Sequence, residues 1–207
     1  MERFTIQKND FLSHDCAGYF HLYYVGYGQP GNPDYLNTLK NIFVSTHPDT
    51  LRAASRQAAS LMIQDIPQVM DAEGLDTAIL MAVPRSKSGM CNWQLGFKAA
   101  VRNTVKALQG DNLSVIDGTD FIFRHTSTKM THLRKPVSNF DNTGSEPYPG
   151  ITKDTCDIQN ESIKGRTVIL IDDIYTKTVN VDEDCIQALY DAGAARVVFY
   201  AVAYTNR

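Results

Sequence analysis

Two adjacent acidic residues are the side chains whose type and position point most directly to chemistry. Asp172 and Asp173 follow the apolar run 168–171 and precede a short segment rich in hydroxyl groups. Because neighbouring residues of an extended strand point to opposite sides, the two carboxylates cannot form one bidentate metal site. They can bracket a ligand instead: one accepts hydrogen bonds from vicinal hydroxyls, and the other orients backbone or a hydrated Mg2+ ion.

The segment that follows the acid pair combines several hydrogen-bond donors with a helix start. Its residues are Ile174, Tyr175, Thr176, Lys177, Thr178, Val179 and Asn180. Asn180 followed three positions later by Glu183 is a capping-box pattern, which predicts a helix from residue 181. Backbone N–H groups in a turn that leads into a helix form a natural phosphate site, and polar side chains add further donors. A diol acceptor beside a phosphate site predicts a ribose 5-phosphate ligand.

A second polar loop follows a buried strand earlier in the chain. The apolar run 76–83 ends at Pro84, a pattern that predicts a strand buried on both faces of a parallel sheet. The loop behind it contains Arg85, Ser86, Lys87, Ser88 and Gly89. Its backbone amides and two cations can bind an anionic group. The alternative, an exposed loop with incidental positive charge, stays open.

Strands and helices alternate along the chain, and their order predicts how these loops meet. The predicted elements are a strand or hairpin over 18–28, a helix from residue 50 capped by Asp49, a strand over 76–83, a helix over 91–109, short strands over 113–116 and 121–123, a strand over 167–171, a helix over 181–192 and a strand over 196–203. Such alternation requires crossover connections and predicts an α/β fold with a mainly parallel sheet. Ligands of such sheets lie beyond the carboxyl ends of the strands, so the loops after residues 83, 123 and 171 are expected to meet.

The 207 residues are predicted to form a single domain that contains two less regular segments. Residues 1–48 form an N-terminal extension that can serve as a hood over a ligand. Residues 124–163 are polar and rich in turn-forming residues, which predicts a long mobile loop. Its candidate charge donors are Arg124, Lys129, Arg134 and Lys135. A solvated loop without a functional role is the alternative for this segment.

Composition and charge argue against several classes of function. The net charge of -3 gives no general attraction to nucleic acid or to an acidic membrane surface. The longest apolar stretch, 197–204, is far shorter than the roughly 20 residues of a membrane-spanning helix, and the N-terminus lacks a signal-like apolar run. The four cysteines and five histidines are scattered without metal-ligand spacing. We therefore expect a cytoplasmic protein without structural zinc and without a nucleic-acid or membrane partner.

The pattern at 168–180 resembles the ribose-phosphate motif of the type I phosphoribosyltransferases. That motif consists of an apolar strand, two acids, an apolar residue, any residue and then Thr-Thr-Gly-x-Thr, and VILI-DD-I-Y-T matches it through Thr176. The resemblance extends over residues 50–205 and includes AVPRSKSG at 82–89, where the family places its pyrophosphate-binding loop. The Gly-Phe pair at 96–97 and the approach IKGRTVILIDD are similar to the competence-protein and amidophosphoribosyltransferase-like branch. The resemblance implies a Rossmann-like fold with a small N-terminal or inserted hood.

The activity that the resemblance implies is transfer of ribose 5-phosphate from phosphoribosyl pyrophosphate to a nitrogen nucleophile, with Mg2+ as cofactor and pyrophosphate as product. Asp172 and Asp173 would hold the ribose hydroxyls and Mg2+ through water, and residues 176–180 the 5-phosphate. Arg85 and Lys87 would bind the departing pyrophosphate. The implied partners are a small-molecule acceptor or a nucleotide; a homodimer or a complex with a partner protein stays open. The segment 124–163 would close over the reacting groups and exclude water.

The sequence departs from the family pattern at the phosphate turn. Lys177 and Thr178 stand where the family has threonine and glycine, and threonine rarely adopts the positive φ that glycine allows. The acids 182–184 also crowd the first helical turn. Lys177 can offset both changes through a charge-assisted contact, which favours a reworked phosphate site over a decayed one. Two other functions remain open: a non-catalytic regulator or partner subunit that senses phosphoribosyl pyrophosphate or a nucleotide, and a nucleotide-targeting effector of a defence system.

Overall fold

The computed structural model describes residues 1–26, 29–40, 47–90, 95–131, 133 and 141–205. Its elements are β1 (Glu2–Ile6), β2 (Cys16–Tyr24), α1 (Asp34–Lys40), α2 (Pro48–Ala72), β3 (Ala78–Ala82), α3 (Gly96–Gly110), β4 (Val115–Asp117), β5 (Ile122–Arg124), α4 (Ile151–Thr155), β6 (Cys156–Ile158), α5 (Asn160–Ile163), β7 (Thr167–Tyr175), α6 (Val181–Asp191) and β8 (Arg196–Thr205). The helix predicted over 91–109 is observed from Gly96, and residues 91–94 lie outside the described part.

Six strands form one sheet in the order β1-β2-β8-β7-β3-β4. Every neighbouring pair is parallel except β1 and β2, which are antiparallel. The prediction of an α/β fold with a mainly parallel sheet is therefore confirmed. The chain runs outward from β3 to β4 and later returns to β7 on the other side of β3. Ligands of open α/β sheets bind at such a reversal, beyond the carboxyl ends of the two strands.

The central strand β7 separates two layers of the core. Ile169 and Ile171 pack in a cluster with residues of α1, α2 and α3 on one face of the sheet. Val168 and Leu170 pack with residues of α5 and α6 on the other. All four side chains are fully buried. Burial of one such side chain stabilises the fold by about 1.5–3 kcal/mol, which explains why the apolar run forms the centre of the sheet.

The long helix α2 shows the apolar spacing that the sequence predicted, but its start differs. Leu51, Ala54, Ala58 and Met62 recur at helical spacing and are buried. The cap is His47, whose ring accepts a hydrogen bond from the backbone N–H of Asp49, so the prediction of Asp49 as the cap is wrong. Pro48 occupies the first turn, where its missing N–H has no cost.

The segment 124–163 is not one long loop. Its last part forms α4, β6 and α5, and its first residue belongs to β5, which pairs antiparallel with β6. Ile151, Cys156 and Ile163 are buried and attach this part to the core. Residues 124 and 151–163 are therefore not part of the predicted mobile loop. Few apolar residues, widely spaced among polar ones, gave no periodic pattern from which these short elements could be recognised.

Candidate functional site

The acid pair lies inside β7, since this strand continues to Tyr175 rather than ending at residue 171. As predicted, the two carboxylates point to opposite faces of the sheet. Asp173 contacts Lys40 at the end of α1, and Asp172 interacts with Asp182 in the first turn of α6. Each acid therefore has its own surroundings, and their chemistry differs.

Asp173 is the buried member of the pair and is 2% exposed. Its Oδ2 lies 3.1 Å from the Arg85 guanidinium and its Oδ1 lies 3.4 Å from the Lys40 ammonium group. The same guanidinium donates a second hydrogen bond, 2.9 Å long, to the carbonyl oxygen of Leu39. Asp173 therefore connects β7, the loop after β3 and α1. A ribose diol reaches this carboxylate only if one of the two cations moves.

Asp172 is the acid that borders a cleft at the carboxyl ends of the strands. Burial, followed by repulsion from Asp173, raises the pKa of Asp172 to about 7. Burial and the nearby Asp172 also raise the pKa of Asp182 well above its ordinary value. Two neighbouring carboxyl groups oppose each other's ionisation, so the interaction adds to the effect of burial on both pKa values.

The cleft has a volume of about 110 Å3 and joins residues from both sides of the reversal between β3 and β7. Arg85, Lys87 and Gly89 from the loop after β3 line it together with Asp172 from β7. Four residues from two separate stretches of sequence, all predicted to bind an anion or a ribose, thus face one space. The remaining lining is mostly apolar and consists of Ala82, Val83, Pro84, Met90, Leu95, Phe97, Lys98, Thr119, Ile122, Phe123 and Arg124.

The polar loop 85–89 is held by the segment that follows β5. The carbonyl oxygen of Ser86 accepts hydrogen bonds from the backbone N–H and the hydroxyl of Thr128, at 2.7 and 3.2 Å. The backbone N–H of Ser88 donates to the Ser127 hydroxyl at 3.0 Å. An anion that uses this N–H must displace Ser127. Gly89 completes the loop with a φ of 70°, a conformation that suits glycine.

Lys87 and Arg124 differ from the free charge donors that the sequence suggested. The Lys87 ammonium group donates to the carbonyl oxygen of Thr143, and burial lowers its pKa. Arg124 lies in β5 and is 7% exposed. Its guanidinium donates to the carbonyl oxygen of Arg85 and to the Thr155 hydroxyl. The prediction that Arg124 lies on a mobile loop is wrong, because it lies in β5 and fixes the loop after β3 to the rest of the fold. It does line the cleft, and its role as a charge donor stays a prediction.

The turn after β7 is more open. A hydrogen bond of 3.0 Å from the Val179 N–H to the Thr176 carbonyl closes it, and Lys177 and Thr178 between them are exposed. The Thr176 hydroxyl lies 2.8 Å from the Thr205 hydroxyl at the end of β8. Lys177 therefore lies at the same end of the sheet as the cleft, but it is not one of the residues that line the cleft.

The predicted capping box does not form. Asn180 has a φ of 60° and makes no side-chain cap bond; its amide oxygen accepts a hydrogen bond from Asn9 at 3.0 Å. The Glu183 carboxylate accepts from the Tyr175 hydroxyl at 2.7 Å instead of reaching back to residue 180. Asparagine tolerates this left-handed conformation better than most residues, so the turn achieves positive φ at its last position without glycine.

The acids at the start of α6 point inward rather than crowding the turn. Asp182, Glu183 and Asp184 are at most 5% exposed. The Asp184 carboxylate accepts from the backbone N–H groups of Gly150 and Thr152, at 2.6 and 2.7 Å. Asp182 Oδ1 and Glu183 Oε2 are buried without a hydrogen-bond partner among the described residues. Only Asp182 approaches the cleft, through its contact with Asp172.

Tyr175 and Ile174 are core residues. The Tyr175 ring is 2% exposed and packs against Phe4, Phe199 and Tyr204, with ring centroids 5.1 to 5.4 Å apart. Ile174 is 4% exposed. Because its faces are covered, the Tyr175 ring cannot stack on a bound base. Only the backbone of these two residues can take part in binding.

The remaining predicted donors are peripheral to the cleft or outside the described residues. Lys129 forms an ion pair with Glu146, at 2.6 Å. Arg134 and Lys135 lie outside the described part of the chain. Lys40 and Ser127 could not be predicted, because their roles depend on contacts between distant segments.

A scan against protein-family models gave no match for this chain, and a search of curated proteins also gave none. Among the described residues, no helix is both long and apolar enough to cross a membrane.

Proposed function

We propose that the protein is a phosphoribosyltransferase of the Rossmann-like type I fold. It would transfer ribose 5-phosphate from phosphoribosyl pyrophosphate to a nitrogen nucleophile and release pyrophosphate. The observation that carries this proposal is the single cleft at the β3–β7 reversal, where Asp172 lies with Arg85 and Lys87. A carboxylate for a diol and two cations for phosphate groups are the polar groups that this substrate requires.

Asp172 is the acid that would face the ribose, since both oxygens of Asp173 already face cations. Its negative charge would stabilise an oxocarbenium-like state at the anomeric carbon, and Arg85 and Lys87 would neutralise the departing pyrophosphate. Lys177 and the backbone of the turn after β7 would bind the 5-phosphate. The pair β5–β6 with α4 would take the place of an inserted hood.

Magnesium fits this arrangement through water rather than through a cage of side chains. No cluster of three acidic, histidine or cysteine ligands forms within the described ranges, whereas Asp172 presents one carboxylate to the cleft. Mg2+ commonly keeps several waters and uses one or two carboxylates together with substrate phosphates. When bound, Mg2+ would supply positive charge to the pyrophosphate group.

The size of the cleft indicates that binding requires a local rearrangement. Its volume of about 110 Å3 is well below the roughly 300–1,000 Å3 of typical ligand pockets. Ser127 and Thr128 cover the loop 85–89 through four hydrogen bonds. We infer that this segment lifts when phosphoribosyl pyrophosphate binds and returns over it to exclude water.

One observation favours the second candidate, a non-catalytic sensor of phosphoribosyl pyrophosphate or a nucleotide. Asp173 and Arg85 hold each other at 3.1 Å, and the backbone N–H of Ser88 is occupied by Ser127. A site whose groups are already paired can bind a ligand and change conformation without being arranged for turnover. Binding without release of pyrophosphate would distinguish this candidate from the enzyme.

The test is calorimetric titration of phosphoribosyl pyrophosphate with Mg2+ into the wild type, Asp172→Asn and Lys106→Ala. Lys106 is exposed on α3 and serves as a matched control. We expect saturable binding by the wild type and the control and at least a tenfold loss in Asp172→Asn. Absence of binding by the wild type, or equal affinities of all three proteins, would contradict the proposal.

A further inference from the structure

The loop between β1 and β2, residues 7–15, contacts the turn after β7 through one side-chain hydrogen bond. The Asn9 Nδ2 atom donates to the Asn180 Oδ1 atom at 3.0 Å, although the two residues are 171 positions apart. Asn180 is the last residue of the turn and the one with positive φ. Its side chain makes no capping hydrogen bond to α6, so the contact with Asn9 sets the orientation of its amide.

The Asn9 side chain can face Asn180 only with its amide nitrogen. Its Oδ1 atom accepts the backbone N–H groups of Phe11 and Leu12, at 2.8 and 3.1 Å. A backbone N–H only donates, so the atom that faces both groups must be the oxygen. Leu12 is 1% exposed, and its backbone forms two further hydrogen bonds with the backbone of Asn9, at 2.9 and 3.3 Å. The Asn9 amide is therefore fixed before any ligand binds.

The loop 7–15 is attached to the helix that follows the turn. The Ser13 backbone N–H donates to the Gln187 Oε1 atom at 2.9 Å, and the Ser13 hydroxyl donates to the same atom at 2.7 Å. Gln187 lies in α6, which starts directly after Asn180. The loop and the turn thus share one helix as their support, and this shared support keeps Asn9 within reach of Asn180.

The contact with Asn9 determines which atom of the Asn180 amide is left for a ligand. A carboxamide carries one acceptor oxygen and one donor nitrogen on separate branches. Because the oxygen faces Asn9, the Asn180 Nδ2 atom faces away from it, and this atom has no acceptor among the described residues. A phosphate group offers several acceptor oxygens, so it is attracted by an N–H donor and repelled by an amide oxygen.

We propose that Asn9 is a positioning residue, which orients the Asn180 amide so that its Nδ2 atom donates to the phosphate group of a sugar phosphate at the turn after β7. Asn9 itself does not contact the ligand. This inference rests on the proposed function, which assigns the 5-phosphate to this turn. It adds the loop 7–15 to the parts of the chain that determine affinity.

Calorimetric titration of ribose 5-phosphate tests the inference on the wild type, Asn9→Ala, Asn9→Asp and Asn180→Asp. Asn9→Asp keeps the oxygen that accepts both backbone N–H groups but has no donor, so the Asn180 amide must turn its nitrogen toward position 9. Asn180→Asp keeps the contact with Asn9 but loses the free donor. We expect affinity at least about tenfold weaker in both Asp variants. Asp10→Ala, an exposed neighbour in the same loop, is the matched control and should keep wild-type affinity.

Asn9→Ala separates positioning from a general structural effect. This variant loses the contacts with Phe11 and Leu12, so it should be the less stable of the two Asn9 variants in urea denaturation. Its Asn180 amide can face either way, so its loss of affinity should be smaller than that of Asn9→Asp. A merely structural role predicts the same order for stability and for affinity. Affinity for inorganic pyrophosphate, assigned to the loop 85–89, should be equal in all variants.

Three results would overturn the inference, whether or not phosphoribosyl pyrophosphate binds. They are no binding of ribose 5-phosphate by the wild type, wild-type affinity in Asn9→Asp, and weaker binding by Asn9→Ala than by Asn9→Asp. A parallel titration of phosphoribosyl pyrophosphate with Mg2+ tests the proposed function separately. If ribose 5-phosphate binds with the expected order of affinities but phosphoribosyl pyrophosphate does not bind, the proposed function fails while Asn9 keeps its role toward a sugar phosphate.

Discussion

The loop after β3 and the turn after β7 follow the two strands at the candidate site, and they are built in opposite ways. Arg85, Ser86 and Ser88 of the loop all have partners on other segments of the chain. The turn is closed by its own backbone, and Lys177 at its centre is exposed. The loop is thus positioned but covered, while the turn is accessible but held by few contacts.

In the proposed site, the groups that are fixed in position lie after one strand, and the group that a ligand can reach freely lies after the other. Groups that are fixed before binding lose little entropy when they meet a ligand, but they must exchange one partner for another. The exposed Lys177 loses more side-chain entropy on binding, but it exchanges fewer existing contacts for those with the ligand. The substitutions below separate these two contributions.

The largest expected effect is a loss of unfolding free energy when the ion pairs of Asp173 with Arg85 and Lys40 are broken. Asp173→Asn removes a buried charge and leaves Arg85 and Lys40 without their shared carboxylate. Breaking a buried pair by removing one partner costs about 3–5 kcal/mol, and the partial exposure of both cations places this case near the lower end. Urea denaturation measures it. Asp172→Asn is the matched control and should unfold at or above the wild-type midpoint, because it removes a carboxylate that burial disfavours.

The second effect is a pH dependence caused by Asp172. Its pKa is raised from 3.8 to about 7, so the folded state binds a proton more tightly than the unfolded chain does. Stability should therefore fall as pH rises from about 4 to about 7 and level off above that range. Asp172→Asn should flatten this slope in thermal unfolding across the same range. An unchanged slope would show that Asp172 is not buried with a second acid.

The third effect concerns affinity on the accessible side. Lys177→Ala should weaken binding of phosphoribosyl pyrophosphate about tenfold, since a charge-assisted hydrogen bond contributes about 1.5–3 kcal/mol. Its unfolding free energy should change by less than about 0.5 kcal/mol because the side chain is exposed. Calorimetry and denaturation measure the two quantities. Equal affinities of Lys177→Ala and Lys106→Ala would remove the turn from the binding site.

The smallest effect tests whether the hydrogen bond from Ser88 to Ser127 weakens the affinity of the loop 85–89 for an anion. Ser127→Ala removes the acceptor of the Ser88 N–H and should lower the unfolding free energy by about 1 kcal/mol. Because that N–H then becomes available to an anion, affinity for inorganic pyrophosphate should rise severalfold. Ser60→Ala, on the exposed side of α2, is the control. Weaker pyrophosphate binding by Ser127→Ala would mean that Ser127 supports the site rather than covers it.

The sequence predicted those features that depend on local pattern. The alternation of elements and the apolar run before Asp172 predicted a parallel sheet with polar loops at its carboxyl ends, and the structure has this arrangement. Strand β7 continues past residue 171 because Tyr175 is buried against aromatic rings of β1 and β8. Its length depends on contacts that no short window of sequence contains.

The partners within the site were harder to predict, for the same reason. Lys40 and Asp173 are 133 positions apart, and Arg85 and Asp173 are 88 apart. Only the folded chain brings them together. The capping box failed because Glu183 found a closer partner in the Tyr175 hydroxyl, so a tertiary contact replaced a local one. Charge and spacing predicted side chains that line the cleft, but not which groups were already paired.

Release of pyrophosphate is the measurement that tests the central claim most directly. Phosphoribosyl pyrophosphate and Mg2+ are incubated with the wild type or Asp172→Asn in the presence of adenine, uracil, ammonium or no acceptor, and pyrophosphate is followed continuously. We predict release that depends on one of these nitrogen acceptors and is at least a hundredfold slower in Asp172→Asn. Tight binding by the wild type without release under any of these conditions would contradict the enzyme and support the sensor.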